Sequence, residues 1–178
     1  MWTRRRLNRT ARRSDERGAA LVEAALVFPI FVMLLLGIVT TAIAYGQSSA
    51  ITNATREASR FGATLPVEGD LSAWLTSVAT AAENASTGDL DVTQDGHRVC
   101  VAYVYPDGTE SEDSTRRLRV DNTGPIEDPG ECYADGRPND KRRVQVVIER
   151  GARIETGFWS GDITLSAEAA GMFERADS

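Results

Sequence analysis

The sequence predicts an α+β protein in which a long N-terminal transmembrane helix, continuing into an amphipathic helix, carries a small antiparallel sheet. Residues 19–45 are almost entirely apolar, and this run exceeds the roughly 20 apolar residues that cross the hydrocarbon core of a bilayer. In the second half of the chain the apolar pattern changes to a period of two between turn residues, which is typical of strands. We therefore divide the chain into a cytoplasmic basic leader at 1–18, a transmembrane helix at 19–45, an amphipathic helix extension at 46–65 and an extracytoplasmic α+β domain at 66–178.

Charge is distributed unevenly along the chain. Residues 1–18 contain seven arginines and two acidic residues, a net charge of +5, while the rest carries −11, which gives the total of −6. Arginines directly before a membrane span keep that end of the chain in the cytoplasm. We therefore expect a single-pass cell-membrane protein with its C-terminal domain outside. We interpret the arginines as a topology signal that contacts lipid headgroups and expect no nucleic-acid binding. Residues 1–16 lack apolar periodicity and are expected to be disordered.

Two residues are unusual within the predicted span: one carries a charge and the other is a proline. Glu23 is the only charged residue between Arg17 and Arg56, and a charge within an apolar run costs about 2.5 to 3.5 kcal/mol on insertion scales unless it finds a partner. Pro29 lies deeper in the same helix and removes the backbone hydrogen bond to the carbonyl of Ala25, which is expected to kink a lone helix.

The first helix is expected to continue past the membrane and to be followed by a second helix. Apolar or small residues recur at helical spacing after the span, at Ile51, Ala54, Ala58 and Phe61. We expect this helix to end near Gly62 or at Leu65-Pro66. The second helix is predicted from Leu71 to about Glu83, because Asp70 is a suitable N-cap and apolar residues then recur at helical spacing.

Strands are predicted in the C-terminal half from alternation and from flanking turn residues. They are expected near 99–105, at 118–120, at 144–148, at 152–159 across a turn at Arg150-Gly151, and at 163–173, where the Ala-Ala-Gly end is open between strand and helix. The region 106–143 is otherwise loop-like, with a turn at Gly124-Pro125.

The predicted outward domain contains both cysteines, Cys100 and Cys132. Thiols in such a compartment are commonly oxidised, and a bridge would close a loop of about 30 residues, worth roughly 3 to 4 kcal/mol in the chain-entropy model. It would also tether the loop-like region. The alternative is two free, buried cysteines. We expect no metal site, because His97 is the only histidine and no Cys-x-x-Cys pair exists.

The sequence contains no recognisable catalytic frame, such as G-x-S-x-G, H-E-x-x-H or a P-loop. His97 follows an Asp-Gly turn and is expected to be an exposed loop residue rather than a base. The acidic residues Glu110, Glu112 and Asp113 lack the regular alternation of oxygen ligands that a calcium loop uses. We therefore predict that the protein is not an enzyme, has no catalytic residues and needs no cofactor.

The entrance to the apolar segment has a more specific pattern. A Gly ends the charged leader, an apolar residue follows, and a Glu lies five positions beyond the Gly, which is the pattern of a type IV prepilin. Residues 17–29 and 51–60 resemble the TadE-like family of pilus-assembly proteins of the tight-adherence (Tad, or Flp) system. The resemblance covers about residues 17–61, a quarter of the chain. The tail at 165–174 is similar to the usual ending of the family but is less specific.

The resemblance implies a minor pilin or pseudopilin that acts by assembly. A prepilin peptidase would cut between Gly18 and Ala19, which makes Glu23 the fifth mature residue. Glu23 and Pro29 would be the assembly residues, and the partners would be other Tad pilus subunits, platform proteins and the membrane, with possible self-association through the transmembrane helix. Flp-type pilins usually carry Tyr after the Glu, whereas this chain has Ala24, which favours a TadE-like role over that of the major pilin.

Three alternatives stay open, one of which, an enzyme on a membrane stalk, would need a pocket with convergent titratable groups. The chain could be a plain signal-anchored extracytoplasmic domain of unknown binding function, with Glu23 at the edge of its anchor. It could also be a secreted protein cleaved after Ala44, because Ala42-Ile43-Ala44 fits the small-x-small rule of signal peptidase. The apolar stretch is much longer than the hydrophobic region of a signal peptide, which argues against secretion.

Overall fold

The computed structural model describes residues 9–67, 70–105, 115–127, 129, 136–138, 140–155 and 159–173, with side chains described from Gly18 onward except at Thr115. The described elements are the helices α1 (Arg9–Thr64) and α2 (Leu71–Ala85) and the strands β1 (Arg98–Val104), β2 (Thr115–Asp121), β3 (Gly124–Glu127), β4 (Arg143–Glu155) and β5 (Ser160–Met172). The predicted α+β class, with a long apolar helix ahead of a small antiparallel sheet, is confirmed.

Helix α1 is a single 56-residue helix, about 84 Å long at 1.5 Å per residue. It passes through Pro29 without a break and ends at Thr64, inside the predicted interval. The expectation of a disordered leader is wrong over 9–16, because α1 already begins at Arg9. Arg, Ala and Glu are good helix formers, so this stretch can extend the helix that follows it. Residues 1–8 lie outside the described part of the chain.

The C-terminal part of α1 packs on the domain through small residues. Ile51, Ala54, Thr55 and Ala58 are fully buried there. The prediction that Phe61 belongs to this face is wrong, because its side chain is 40% exposed. The contact face passes through Gly62 instead, where an added Cβ would lie 3.1 Å from side-chain atoms of both Val78 and Val144.

Helix α2 begins where its capping residue predicts. Asp70 has an extended backbone, and its carboxylate accepts a hydrogen bond from the backbone N–H of Ser72 at 2.9 Å, as an N-cap does. The helix ends at Ala85, two residues beyond the predicted end. Trp74, Leu75 and Val78 are buried and place one face of α2 against α1 and β1.

The sheet has the order β3-β2-β1-β4-β5, and every neighbouring pair is antiparallel. Helix α1 packs against β4 and β5, and α2 packs against β1 and β2, so both helices contribute to one core. Alternate strand residues point into this core, as the period of two requires. They are Val99, Val101, Tyr103, Leu118, Val144, Val146, Ile148 and Ala167.

Three details of the strand prediction are corrected. Gly124-Pro125 does not form a turn but begins β3, which lies at an edge of the sheet, where a proline is tolerated. Arg150-Gly151 is not a turn either, because β4 runs through it to Glu155 and pairs with β5 along its whole length. The final segment, which was open between strand and helix, is the strand β5.

The face of β1 and β4 turned away from the helices is also buried. Cys100 pairs with Val147 across the two strands, and the exposed fractions of their side chains are only 5% and 9%. Further along this face, the Arg143 guanidinium donates hydrogen bonds to the carbonyls of Pro138 at 2.9 Å and Arg137 at 3.2 Å. Part of the chain between β3 and β4 is therefore bound to this outer face.

Candidate membrane and assembly helix

The N-terminal half of α1 projects from the folded domain with its apolar side chains exposed. Within the described residues, Gly18–Thr64 is the helical segment long and apolar enough to cross a membrane, and its most apolar part has nothing buried inside the molecule. Exposed residues occur on all sides of the helix, including Leu21, Leu26, Phe28, Leu34, Ile38 and Ile43. A helix that is apolar all round and has no protein around it suits a lipid environment, so this half of α1 can anchor the protein in a membrane.

The uncharged polar side chains at the end of the apolar run are satisfied within the helix. The Thr40 hydroxyl donates to the carbonyl of Leu36 at 3.0 Å and approaches that of Gly37 at 3.2 Å, while the Thr41 hydroxyl donates to Gly37 at 2.7 Å. Such bonds let threonine hydroxyls lie in an apolar environment without another partner. The threonines therefore do not oppose membrane insertion.

Glu23 has no comparable partner. Its side chain is exposed on α1, and no described side chain forms a hydrogen bond or ion pair with it. Ala19 lies four positions earlier, on the same face of the helix. A carboxylate in this position calls for a partner from another molecule if the surrounding helix is in lipid.

The predicted processing and assembly residues lie together in the first turns of the exposed helix. Gly18 is helical, and nothing lies within 4 Å of the position that a Cβ would occupy. The neighbouring small residues Ala19, Ala20, Ala24 and Ala25 are exposed as well. Small side chains allow another helix to approach closely, and Pro29, one turn beyond Ala25, leaves that residue's carbonyl without its backbone donor.

The other predicted residues are distributed through the folded domain. Cys100 is buried on the outer face of β1, whereas Cys132 lies outside the described residues, so the disulfide stays a prediction. The part of the chain that the structure describes contains no free cysteine and no group of three or more His, Cys, Asp or Glu side chains that could hold a metal. The acidic cluster at 110–113 also lies outside that part.

The expectation that His97 is an exposed loop residue is wrong. Its side chain is only 6% exposed, and its Nδ1 accepts a hydrogen bond from the backbone N–H of Asp91 at 3.4 Å. The Thr93 and Gln94 side chains donate to the Asp91 carboxylate and lower its pKa. Burial and the nearby Asp91 charge raise the pKa of Glu83 at the end of α2. These contacts order the connection from α2 to β1.

Sequence reasoning missed the contact between the apolar helix and the β4–β5 hairpin. Residues 150–153 of β4 face Thr40, Ile43, Ala44 and Gln47 of α1 across a cleft of about 190 Å³. Arg150 at this cleft forms an ion pair with Asp89, with an N–O distance of 3.1 Å. No local pattern could reveal this contact, because more than 100 residues separate the two segments.

Comparison with known protein families gives a match over part of the chain. A family model described as TadE-like protein matches residues 18–60, which are most of the exposed helix and its continuation into the domain. Comparison with curated proteins and with solved structures finds no match. The chain therefore carries a TadE-like segment over residues 18–60, which confirms the resemblance inferred from its sequence.

Proposed function

We propose that this protein is a minor pilin or pseudopilin-like component of Tad pilus assembly, and that it acts through helix contacts in the membrane and not by catalysis. The observation that carries the proposal is the pair Gly18 and Glu23 at the head of an exposed apolar helix that continues unbroken into a folded domain. Such a helix can hold the domain outside the membrane while its apolar half packs against other helices. The TadE-like match supports the pilus context.

In this proposal the leader stays in the cytoplasm and the sheet domain lies outside the membrane. A prepilin peptidase cuts between Gly18 and Ala19. The open space around Gly18 supports this step, because the folded domain does not cover the peptide bond that would be cut. Glycine also has no side chain to obstruct a peptidase at the membrane surface. The disulfide between Cys100 and Cys132 then forms in the oxidising compartment outside.

Cleavage supplies the partner that Glu23 lacks. The freed amine of Ala19 on a neighbouring subunit can neutralise the Glu23 carboxylate, and this attraction is strong in a medium of low dielectric constant. Within one chain the two residues are about 6 Å apart along the helix axis. A neighbour that pairs its amine with Glu23 is therefore shifted by about 6 Å, and the charge pair sets the stagger between Tad subunits or platform proteins.

The processing step is tested with a matched pair of glycine substitutions. Gly18→Leu and Gly37→Leu both add a bulky side chain at a position where nothing lies within 4 Å of the added Cβ, so the two substitutions are matched in their surroundings. We expect Gly18→Leu to leave a precursor about 18 residues longer, while Gly37→Leu is processed normally. N-terminal sequencing from the native host reads the result. An N-terminus at Ala19 in the parent protein supports the proposal, one at Tyr45 supports secretion, and an intact Met1 leaves a plain membrane anchor.

Assembly is tested separately from cleavage. Glu23→Ala should permit processing but reduce piliation or pilin export, because the paired charge is lost. Glu57→Ala is the control, since Glu57 is an exposed carboxylate on the same helix beyond the apolar run. Electron microscopy of surface pili provides the readout. Normal piliation in a strain that lacks the whole gene would contradict the assembly function.

A further inference from the structure

The β4–β5 hairpin runs along α1 from the far end of the domain toward the apolar half of the helix. At the far end, an added Cβ on Gly62 of α1 would lie 3.1 Å from the Val144 side chain of β4. Seven residues later along β4, the cleft at 150–153 lies against 40–47 of α1. The strand therefore runs antiparallel to the helix and leads toward the predicted membrane.

The hairpin extends beyond this cleft. Strands β4 and β5 remain paired as far as Glu155 opposite Ser160. At about 3.3 Å per strand residue this adds about 12 Å measured from the middle of the cleft, which corresponds to about two turns of α1. Continued in the same direction, the described end of the hairpin at Glu155 and Ser160 extends to the level of the α1 turns that precede Thr40.

The apolar run of α1 is longer than a bilayer requires. Residues 19–45 span about 40 Å, whereas the hydrocarbon core is about 30 Å thick. If Arg17 marks the cytoplasmic boundary, the excess of about 10 Å falls in the last two turns before Tyr45. The β4–β5 hairpin runs alongside these same turns of α1. We therefore expect the end of the hairpin to lie at the level of the lipid headgroups.

The end of the hairpin carries a side chain suited to that level. Trp159 directly precedes β5, is 61% exposed, and lies over Gly161, where an added Cβ would collide with the indole. Tryptophan is enriched at membrane interfaces, because its ring is apolar while its N–H seeks polar partners. The nearby Arg153 is paired with Glu155 at 2.9 Å and is 3.9 Å from Asp162, so these charges do not form a basic patch for anionic lipid.

We propose that the end of the β4–β5 hairpin rests on the extracytoplasmic face of the membrane, with Trp159 in the boundary between headgroups and acyl chains. This inference rests on the proposed membrane span of α1 and adds a second attachment to it. One helix alone leaves the domain free to tilt relative to the plane of the membrane. A second contact at Trp159 limits that tilt and holds the domain at a defined angle and height above the membrane.

The test uses the full chain in phosphatidylcholine vesicles that contain lipids brominated near the headgroup end of the acyl chains, which quench nearby tryptophan fluorescence. All variants carry W2F, and the buried Trp74 stays as a constant background. We expect quenching in the W2F protein and its loss in W2F/W159F. Two further tryptophans are placed in the W2F/W159F background. Met172→Trp is the matched control, because Met172 is also exposed but lies at the opposite end of β5. Leu34→Trp reports on the span itself.

The outcomes separate the two proposals. Quenching at Trp159 and at Leu34→Trp, but not at Met172→Trp, supports the inference. Quenching at Leu34→Trp with none at Trp159 overturns the hairpin contact and leaves the membrane span intact. No quenching at Leu34→Trp overturns the span and the hairpin contact together. Quenching of Trp159 that disappears in 1 M salt indicates an electrostatic attachment, since such salt screens charges beyond about 3 Å, and this also overturns the inference.

Discussion

At the scale of single residues, two glycines determine how closely α1 packs on the sheet. An added Cβ on Gly62 would meet side chains at 3.1 Å, and one on Gly171 would lie 2.5 Å from the carbonyl oxygen of Ser59. Side chains can shift by a few tenths of an ångström, but a helix carbonyl cannot without moving the helix. Gly171 is therefore the stricter requirement. Glycines 18, 37 and 46 of the same helix have nothing within 4 Å and leave that surface open to other molecules.

We predict that Gly171→Ala destabilises the domain by about 1 to 3 kcal/mol, the usual cost of an overpacked core, because α1 and β5 must separate. Gly46→Ala is the matched control. It lies in open space on α1 and should stabilise the helix by up to about 1 kcal/mol. Denaturant unfolding of the full chain in detergent micelles, followed by near-UV circular dichroism, measures both. Equal stabilities for the Gly171→Ala variant and the parent would contradict the close packing.

Two carboxylates should affect stability in opposite ways as pH changes. The Thr123 hydroxyl and backbone N–H donate to Asp121 at 2.6 and 2.9 Å and lower its pKa below 3.8. The stability that Asp121 contributes to the fold is therefore present above pH 3.8. It is lost as the pH falls through the lower pKa of Asp121 in the folded state. Burial and the Asp91 charge raise the pKa of Glu83 above 4.5. The folded state then binds the Glu83 proton more tightly than the unfolded state does. The stability that this proton contributes is present below pH 4.5 and is lost as the pH rises through the pKa of Glu83 in the folded state.

We therefore predict that Asp121→Asn lowers the unfolding temperature at pH 7 and has a shrinking effect below pH 3.8. Glu83→Gln should raise the unfolding temperature at pH 7 and leave it unchanged below pH 4.5. Thermal scans of each variant and the parent across this pH range test both signs, and each variant serves as the control for the other. A lower unfolding temperature for Glu83→Gln at pH 7 would show that its charged form is stabilised by the fold.

At the scale of elements, the outer face of β1 and β4 binds a described part of the connection between β3 and β4. The paired residues Cys100 and Val147, and Arg143 beyond them, are nearly inaccessible, and Arg143 holds two carbonyls of that connection. Pro129, earlier in the same connection, is also buried. In the sequence, Cys132 lies between the buried Pro129 and the two carbonyls that Arg143 binds. The placement of Cys100 on this face therefore supports the predicted disulfide.

We predict that Cys100 and Cys132 are joined in protein isolated from its native host. Intact mass analysis after alkylation without reduction should find no modified thiol, and reduction should expose two. Because the bridge closes a loop of about 30 residues, its loss in the C100S/C132S double variant should destabilise the domain by roughly 3 to 4 kcal/mol. Two alkylated thiols in unreduced protein would exclude the bridge.

At the scale of the whole molecule, α1 connects two environments. Its exposed apolar half suits lipid, while its C-terminal part completes the core of the sheet domain through fully buried Ile51, Ala54 and Ala58. The helix is continuous through both parts. A displacement at the proposed assembly residue Glu23 would therefore be passed directly to the domain, because the described helix has no break between them.

We predict that the domain lies outside the cytoplasmic membrane, because seven arginines precede the span. Protease added to intact spheroplasts should remove a tag placed after Ser178, while a tag placed before Met1 should stay protected until lysis in a strain that lacks the prepilin peptidase. The second tag is the internal control. Protection of the C-terminal tag would contradict the predicted orientation. It would also place the domain in the cytoplasm, outside the oxidising environment that the disulfide requires.

The sequence by itself determined the features that depend on short-range periodicity and composition. The apolar span, its entrance at Gly18 and Glu23, the continuation to Thr64, the Asp70 cap and the central strands all follow from neighbouring residues. These features could be predicted because helix and strand periods are properties of a local segment. The residues of the candidate site could be predicted for the same reason, because they lie close together on one helix.

Only the tertiary structure decided whether ambiguous segments became turns or strands, which side chains are buried, and which distant segments are in contact. A turn at Arg150-Gly151 does not form, because β4 pairs continuously with β5 through these residues. Phe61 stays outside the core because Gly62 lies closer to the sheet. His97 became buried through its contact with the Asp91 backbone. The approach of residues 150–153 of β4 to the apolar helix likewise depends on strand order and helix direction. Such outcomes depend on packing between residues far apart in the chain, which overrides local preference.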